Sequence, residues 1–278
     1  MTEILDYLDY GPRPAFPPVP GAYHERAAAL AAKVDGREYS YGPHKLQKLL
    51  LFPATNPTGE VVVAFHGGRF VHGYKEWMAI MAPALNKRGI TLVCPGNRLV
   101  SADPFPAGIQ DCANAVKWTA EHLDEFGGKR DAIFLTGHSS GGFYAALLAI
   151  RPDVTGIADI PPVAGCLPVS GLFQIENDQI TQQLLFPGGS TEEQCNAVSP
   201  LLADLRGVPP FHISWGSDDA PPIPVQSAQM VEALRNASVK VEALVMEGAD
   251  HFDAALRTAE ADGEWIRSVE PFLRQNRA

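Results

Sequence analysis

The chain has 278 residues, 46% of them hydrophobic, and a formal net charge of -10 at pH 7. This length and composition are typical of one globular domain with a large core. The charge disfavours nucleic acid and anionic membranes as partners, and no cluster of basic residues offsets it. The acidic N-terminus does not resemble a signal peptide, and no apolar run approaches the ~20 residues of a membrane span, so we expect a cytoplasmic protein.

The four cysteines form no CxxC pair, so the sequence predicts no zinc site and no other metal site. Cys94 closes an apolar run and Cys112 falls in a helical pattern, which is typical of small core residues. In a cytoplasmic protein we expect reduced thiols, although a bridge between Cys166 and Cys195 is left open.

The N-terminal part of the chain is rich in proline, and residues 10–20 read GPRPAFPPVPG. This composition favours an extended arm over a helix or a strand. We treat residues 1–278 as one domain, whose N-terminal arm covers about residues 1–35.

Beyond the arm, short apolar runs alternate with longer helical patterns. The predicted strands are 37–42, 46–52, 61–65, 91–96, 132–137, 163–171, 211–216 and 239–246. The predicted helices are 74–88, 106–125, 143–150, 225–236 and 259–275. The first two strands should form a hairpin, and the alternation that follows predicts an α/β fold with a mostly parallel central sheet and helices on both faces.

Residues 174–200 interrupt this alternation, because they form a long, polar segment without a regular pattern. Long connections of this kind are usually functional lids or disordered. We expect a short cap over a ligand site.

The segment TGHSSGGF, residues 136–143, joins a predicted buried strand to a helix. Ligands of open α/β sheets bind at such strand ends. A nucleophilic serine on this sharp turn needs glycine two positions before and two positions after it, because the bend crowds the neighbouring side chains. Glycines flank Ser139 in this way, whereas a frame centred on Ser140 would place a histidine where glycine is needed. A turn with a helix-capping serine is the alternative.

A serine nucleophile needs a histidine base, and on this kind of fold the base follows the serine and the acid in the chain. His212 and His251 are the histidines that follow Ser139. His212 lies inside a predicted strand, which favours a packed side chain. His251 follows the strand 239–246 directly and is the predicted base.

The carboxylate that orients the base should follow the strand 211–216, where WGSDDAPPIP offers Asp218 and Asp219. These residues alone do not decide between the two. Asp250 and Asp253 adjoin the histidine too closely in sequence to orient its ring and are interpreted as surface charges.

The strand 61–65 leads into HGGRF, whose glycines would let backbone N–H groups face an oxyanion. Gly68 and Arg69 are the predicted donors from this loop. Ser140 is the third, because its N–H lies at a helix N-terminus directly after the nucleophile. We expect His66 to shape the loop through a hydrogen bond and not to act as the base.

The substrate pocket is predicted to include Phe70 and His72, which follow the oxyanion loop in the chain. Trp77 and Phe143 are further candidates, although core packing explains these two equally well.

These motifs resemble the esterase branch of the α/β hydrolases. HGGRF resembles its HGGG oxyanion loop, and GHSSGG resembles its nucleophile elbow. NRLVSADPFPAGIQDCANAVKW, residues 97–118, is similar to a segment of the hormone-sensitive-lipase-like esterases. The resemblance covers nearly all of the chain after about residue 35, and it implies the α/β-hydrolase fold with a short cap and a Ser-His-Asp triad.

The C-terminal part resembles a neighbouring group, the kynurenine formamidases. DAPPIPVQS from Asp219 and HFD from His251 are similar to that group's segments, and so is VSGLFQI, residues 169–175. The resemblance favours Asp219 over Asp218 as the acid.

Arg69 departs from both groups, which carry glycine or an aromatic residue at this position. Its guanidinium could meet a substrate carboxylate. The alternative is a side chain that is solvated or paired with another residue, for which Glu76 is the candidate.

Together these features predict a serine hydrolase without cofactor, in which Ser139 attacks, His251 is the base and Asp219 orients it. We expect a small carboxylic ester as substrate, with aryl-formamide hydrolysis as the alternative. Lactone opening, C–C bond hydrolysis and a non-catalytic binding module on the same fold stay open. The predicted partner is a small molecule, not nucleic acid or a membrane. A homodimer is compatible with the sequence, which does not indicate an oligomeric state.

Overall fold

The computed structural model describes residues 18–175, 185–186 and 188–277. An eight-stranded sheet runs through the centre in the order β1-β2-β4-β3-β5-β6-β7-β8. Its strands are β1 Arg37–Ser40, β2 Lys48–Phe52, β3 Val61–Phe65, β4 Thr91–Pro95, β5 Ile133–His138, β6 Gly165–Val169, β7 Phe211–Gly216 and β8 Val241–Met246. The hairpin β1–β2 and the pair β2–β4 are antiparallel, and all other pairs are parallel.

Helices connect the strands and cover both faces of the sheet. The α-helices are α1 Pro18–Ala31, α2 Ala82–Asn86, α3 Ala107–Glu121, α4 Ser140–Ile150, α5 Glu192–Ala197, α6 Ile223–Asn236, α7 His251–Arg257 and α8 Glu264–Gln275. Short 3-10 helices occupy Lys75–Met81, Leu123–Phe126, Pro152–Thr155 and Pro200–Leu202. No described helix has the length and apolar character needed to cross a membrane.

Two apolar cores lie on the two faces of the sheet. Helices α3, α4 and α6 pack on one face, and α1, α7, α8 and the 3-10 helix Lys75–Met81 pack on the other. Strands β3, β4 and β5 are buried along their whole length, as expected for apolar and β-branched strands between two helical layers. The predicted α/β fold is therefore confirmed. All four cysteines are free and buried, in agreement with reduced thiols.

The N-terminal arm differs from the prediction, because α1 begins at Pro18, within the segment expected to be extended. Proline is tolerated in the first turn of a helix, where the backbone N–H groups have no intrahelical partner. Residues 1–17 lie outside the described part of the chain. Within the predicted cap, the same is true of residues 176–184 and residue 187.

Two predicted helices are divided in the structure, and a third begins later than predicted. The pattern at 106–125 forms α3 followed by the 3-10 helix Leu123–Phe126. The pattern at 74–88 forms the 3-10 helix Lys75–Met81 followed by α2. The last helix begins at Glu264, later than expected, because a separate helix α7 precedes it and Gly263 occupies the N-cap position of α8.

Candidate active site

Ser139 forms a sharp turn between β5 and α4. Its backbone has φ 56° and ψ -121°, an uncommon conformation for a residue with a side chain. Its N–H donates to the carbonyl of Val169 on β6, 3.0 Å away. Strain of this kind costs roughly 1–3 kcal/mol and concentrates at active sites, because it persists only where the surrounding structure enforces it.

The two flanking glycines are required by close approach of the neighbouring backbone. A Cβ on Gly141 would collide with the carbonyl oxygen of Phe65 at the end of β3. A Cβ on Gly137 would collide with the backbone of Gly141 itself. The glycine spacing that selected Ser139 in the sequence therefore has a direct steric cause.

The side chain of Ser139 does not cap α4, which removes the alternative of an ordinary capped turn. Its Oγ lies 3.0 Å from Nε2 of His251. Nδ1 of the same imidazole lies 2.8 Å from Oδ1 of Asp219. The three side chains that the sequence predicted thus form one continuous hydrogen-bonded series.

His251 is held by the start of helix α7, of which it is the first residue. Asp250 caps this helix, because its carboxylate accepts from the N–H groups of Phe252 and Asp253. Asp250 was interpreted from the sequence as a surface charge, and in the structure it is the N-cap residue of α7. The cap fixes the backbone that carries the imidazole.

Asp219 and Asp218 have opposite environments. The side chain of Asp219 is fully buried, and its Oδ1 also accepts from the N–H of Ala220 at 2.8 Å. Asp218 is exposed and accepts a hydrogen bond from the neighbouring Ser217. The structure therefore brings Asp219 to the imidazole and leaves Asp218 at the surface.

The pKa of Asp219 lies below its ordinary value. Burial alone raises this pKa, but the hydrogen bond and charge of His251, with a contribution from the hydroxyl of Ser170, together outweigh burial. The carboxylate is thus held ionised beside the imidazole, as an orienting group requires.

Ser170 is a residue of this site that the sequence prediction missed. It follows β6 at the same edge of the sheet and has a positive φ of 48°. Its Oγ and Oδ2 of Asp219 are both buried, yet neither makes a hydrogen bond with a described residue. The hydroxyl of Ser170 is close enough to lower the pKa of Asp219. The position of Ser170 directly after a strand was the sequence signal that could have identified it.

The loop after β3 lies against the turn at Ser139. A Cβ built on Gly67 would stand 3.2 Å from Cβ of Ser139. Gly68 has φ 119°, which only glycine adopts readily.

Two hydrogen bonds hold this loop in place. His66 Nδ1 donates to the carbonyl of Gly67 at 2.8 Å, so this histidine shapes the loop as predicted. Phe70 also donates its N–H to Oγ of Ser140 at 3.4 Å, which links the loop to α4.

The predicted oxyanion donors are Gly68, Arg69 and Ser140. Within the described parts of the chain, none of these three N–H groups donates to a protein acceptor. Backbone N–H groups are strong donors that are normally paired, so three unused ones beside Ser139 can receive an anion.

A cavity of about 300 Å³ opens in front of Ser139. His72 lines it, as expected, and so does Trp77, for which core packing was the alternative. The rings of Tyr23 and Phe252 form further apolar parts of the wall. Tyr23 comes from α1, so the helix missed in the sequence contributes directly to the site.

Phe70 was predicted to line the pocket, and this prediction is wrong. Its ring is buried in the core, 5.4 Å from the ring of Phe143 and 5.3 Å from that of Tyr144. The positive φ of 66° at Phe70 accompanies this inward direction, which an alternating sequence pattern cannot reveal. Phe143 likewise belongs to the core and not to the cavity wall.

Comparison with known proteins agrees with the fold. Residues 62–254 match a family model described as "alpha/beta hydrolase fold". A probable isoprenylcysteine alpha-carbonyl methylesterase of Arabidopsis thaliana is 26% identical over 80% of this chain and 52% of its own length. The chain thus spans about half the length of that relative.

Two further similarities agree with the fold. A kynurenine formamidase of Danio rerio is 24% identical over 82% of this chain and 78% of its own length. A solved arylesterase structure superposes with a TM-score of 0.74 at 19% identity, covering 93% of each chain. Since the family model spans most of the chain, the protein belongs to the alpha/beta hydrolase fold family of enzymes.

Proposed function

We propose that the protein is a serine hydrolase that cleaves small carboxylic esters through an acyl-enzyme. The observation that carries the proposal is the series Ser139–His251–Asp219, joined at 3.0 and 2.8 Å, at the base of a cavity. A serine hydroxyl becomes a competent nucleophile only when such a base can take its proton.

In the first step, Oγ of Ser139 attacks the ester carbonyl while Nε2 of His251 takes the hydroxyl proton. Nδ1–H of His251 donates to Asp219, whose ionised carboxylate stabilises the imidazolium. The tetrahedral oxyanion is received by the N–H groups of Gly68, Arg69 and Ser140.

The second half of the reaction restores the enzyme. The imidazolium returns its proton to the departing alcohol, which leaves an ester on Oγ of Ser139. A water molecule then attacks this ester, His251 takes the water's proton, and the acid is released as Oγ recovers its hydrogen.

The size and character of the cavity support small esters. About 300 Å³ is at the low end of ligand pockets, and rings and aliphatic groups form most of its wall. Names of two relatives, a methylesterase and an arylesterase, agree with ester chemistry.

Aryl-formamide hydrolysis is the second candidate. The segments after Asp219 and His251 resemble kynurenine formamidases, and the Danio rerio formamidase matches over more of its own length than the plant methylesterase does. The same nucleophile, base and oxyanion donors would serve a formyl carbonyl.

A paired assay tests the proposal. We expect 4-nitrophenyl butyrate to be hydrolysed with a higher kcat/KM than N-formylkynurenine. Ser139→Ala should abolish both reactions, whereas Ser101→Ala, which changes an exposed serine, should abolish neither. A higher kcat/KM on the formamide would favour the second candidate, and turnover of either substrate by Ser139→Ala would contradict the mechanism.

A further inference from the structure

Among the described residues that line the cavity, Arg69 has the only permanently charged side chain. It is exposed at the cavity and belongs to the loop that follows β3. The remaining wall is formed largely by apolar groups, including Val71, Trp77 and Phe252. No carboxylate side chain is among the described residues that line the cavity, so Arg69 supplies the positive charge of the cavity wall.

The sequence left a structural pairing of Arg69 with Glu76 open, and this pairing is absent. Glu76 lies 2.8 Å from Nζ of Lys75. Arg69 forms no ion pair and no side-chain hydrogen bond with any residue in 18–175, 185–186 or 188–277. Its guanidinium is thus available to an external anion.

The backbone of Arg69 has an uncommon conformation for a residue with a side chain. Its φ is 55°, a region that glycine occupies without steric cost and that residues with a Cβ occupy rarely. A glycine would relieve this strain while keeping the backbone N–H. The guanidinium thus lies on the loop next to the nucleophile, at a backbone conformation that is strained for a residue with a Cβ.

We propose that Arg69 is a carboxylate-binding subsite, and that the preferred substrates of this hydrolase carry a carboxylate besides the group that is cleaved. The proposal rests on the proposed function for the reaction and goes beyond it in naming the substrate class. Monoesters of dicarboxylic acids have this chemistry.

Electrostatics supports the assignment. Guanidinium matches the planar geometry of a carboxylate with two parallel N–H donors. The protein as a whole carries a charge of -10 and repels anions at a distance, so a local cation is the group that would let an anionic ester bind.

Two substrates of equal acyl length isolate the carboxylate. They are 4-nitrophenyl hexanoate and the 4-nitrophenyl monoester of adipic acid. We expect the ratio of kcat/KM for the anionic ester to that for the neutral ester to fall about tenfold in Arg69→Met, the size of one charge-assisted hydrogen-bonded contact. Arg69→Lys should retain part of the ratio, because it keeps the charge but loses the paired donors.

The ratio separates the subsite from the backbone role of the same residue. A disturbed oxyanion loop slows both esters together and leaves the ratio unchanged. Added salt should lower the ratio in the unmodified enzyme and have a smaller effect in Arg69→Met. An Arg69→Met enzyme with the original ratio would overturn the proposal.

Equilibrium binding keeps the subsite testable without turnover. In a Ser139→Ala background, calorimetry should show that Arg69→Met weakens binding of monomethyl adipate about tenfold relative to methyl hexanoate. If the unmodified enzyme hydrolyses neither 4-nitrophenyl ester but this Arg69-dependent binding is found, the proposed function fails and the subsite stands. Equal binding of monomethyl adipate with and without Arg69 overturns the subsite.

Discussion

His138 donates a hydrogen bond from Nε2 to the backbone carbonyl of His251, at 2.8 Å. A carbonyl only accepts, so the ring of His138 carries its proton on Nε2. The two imidazoles lie side by side, with ring centroids 4.6 Å apart. Burial, together with the neighbouring His251, lowers the pKa of His138 to about 3. His138 is therefore a neutral residue that positions the base through the backbone carbonyl of His251.

Removing this hydrogen bond should slow the chemical step. We expect His138→Leu to lower kcat roughly 10- to 100-fold, because a small displacement of a base is costly in rate. The pH profile of kcat should keep its shape, since His138 stays neutral in the working range. His138→Gln supplies an N–H donor and should recover part of the loss. A His138→Leu enzyme with unchanged kcat would contradict the role.

Substitution of each of the two adjacent aspartates should affect kcat to very different extents. Asp219→Asn removes the carboxylate that stabilises the imidazolium, and we expect kcat to fall about 10³- to 10⁴-fold. Asp218→Asn is the matched control, because Asp218 is exposed and its carboxylate hydrogen-bonds only Ser217 among the described residues. Comparable losses in both variants, measured with 4-nitrophenyl butyrate, would show that the acid is wrongly assigned.

Stability should fall as the pH drops below 6.5. Burial lowers the pKa of His212 to about 4, as it lowers that of His138 to about 3, from a usual value of 6.5. Between these values the unfolded chain binds protons that the folded chain does not, so the free energy of unfolding decreases with falling pH. Urea unfolding at pH 7 and pH 5 measures the difference.

His212 provides a non-catalytic test of this linkage. It is buried on β7, where Nε2 lies 2.7 Å from Oγ of Ser268, and it is the packed strand histidine that the sequence predicted. His212→Gln can keep a hydrogen bond but cannot titrate. We expect the loss of unfolding free energy between pH 7 and pH 5 to shrink by about 2 kcal/mol in this variant. An unchanged loss would rule out the contribution of His212.

Local patterns were sufficient for the sheet and for the nucleophile. Continuous apolar runs identified β3 and β5, since strands buried on both faces have no polar side. The glycines around Ser139 reflect a steric need that is fixed by a few neighbouring residues. The order of serine, acid and base along the chain then led to His251.

Contacts between distant segments decided what the sequence could not. Asp219 and Asp218 have the same chemistry and adjoin each other, so a family resemblance favoured Asp219, and burial against His251 distinguishes the two in the structure. Tyr23 reaches the cavity because α1 forms despite its prolines and packs on the 3-10 helix, with Tyr23 and Trp77 rings 5.2 Å apart. The direction of Phe70 depends on a backbone angle that composition does not encode.

Covalent labelling with a fluorophosphonate, followed by peptide mass spectrometry, tests the central claim most directly. We expect one adduct, on Ser139, in the unmodified protein and in the surface control Ser101→Ala. We expect no adduct in Ser139→Ala. A protein that does not label, or a label that persists in Ser139→Ala, would contradict the assignment of Ser139 as the nucleophile.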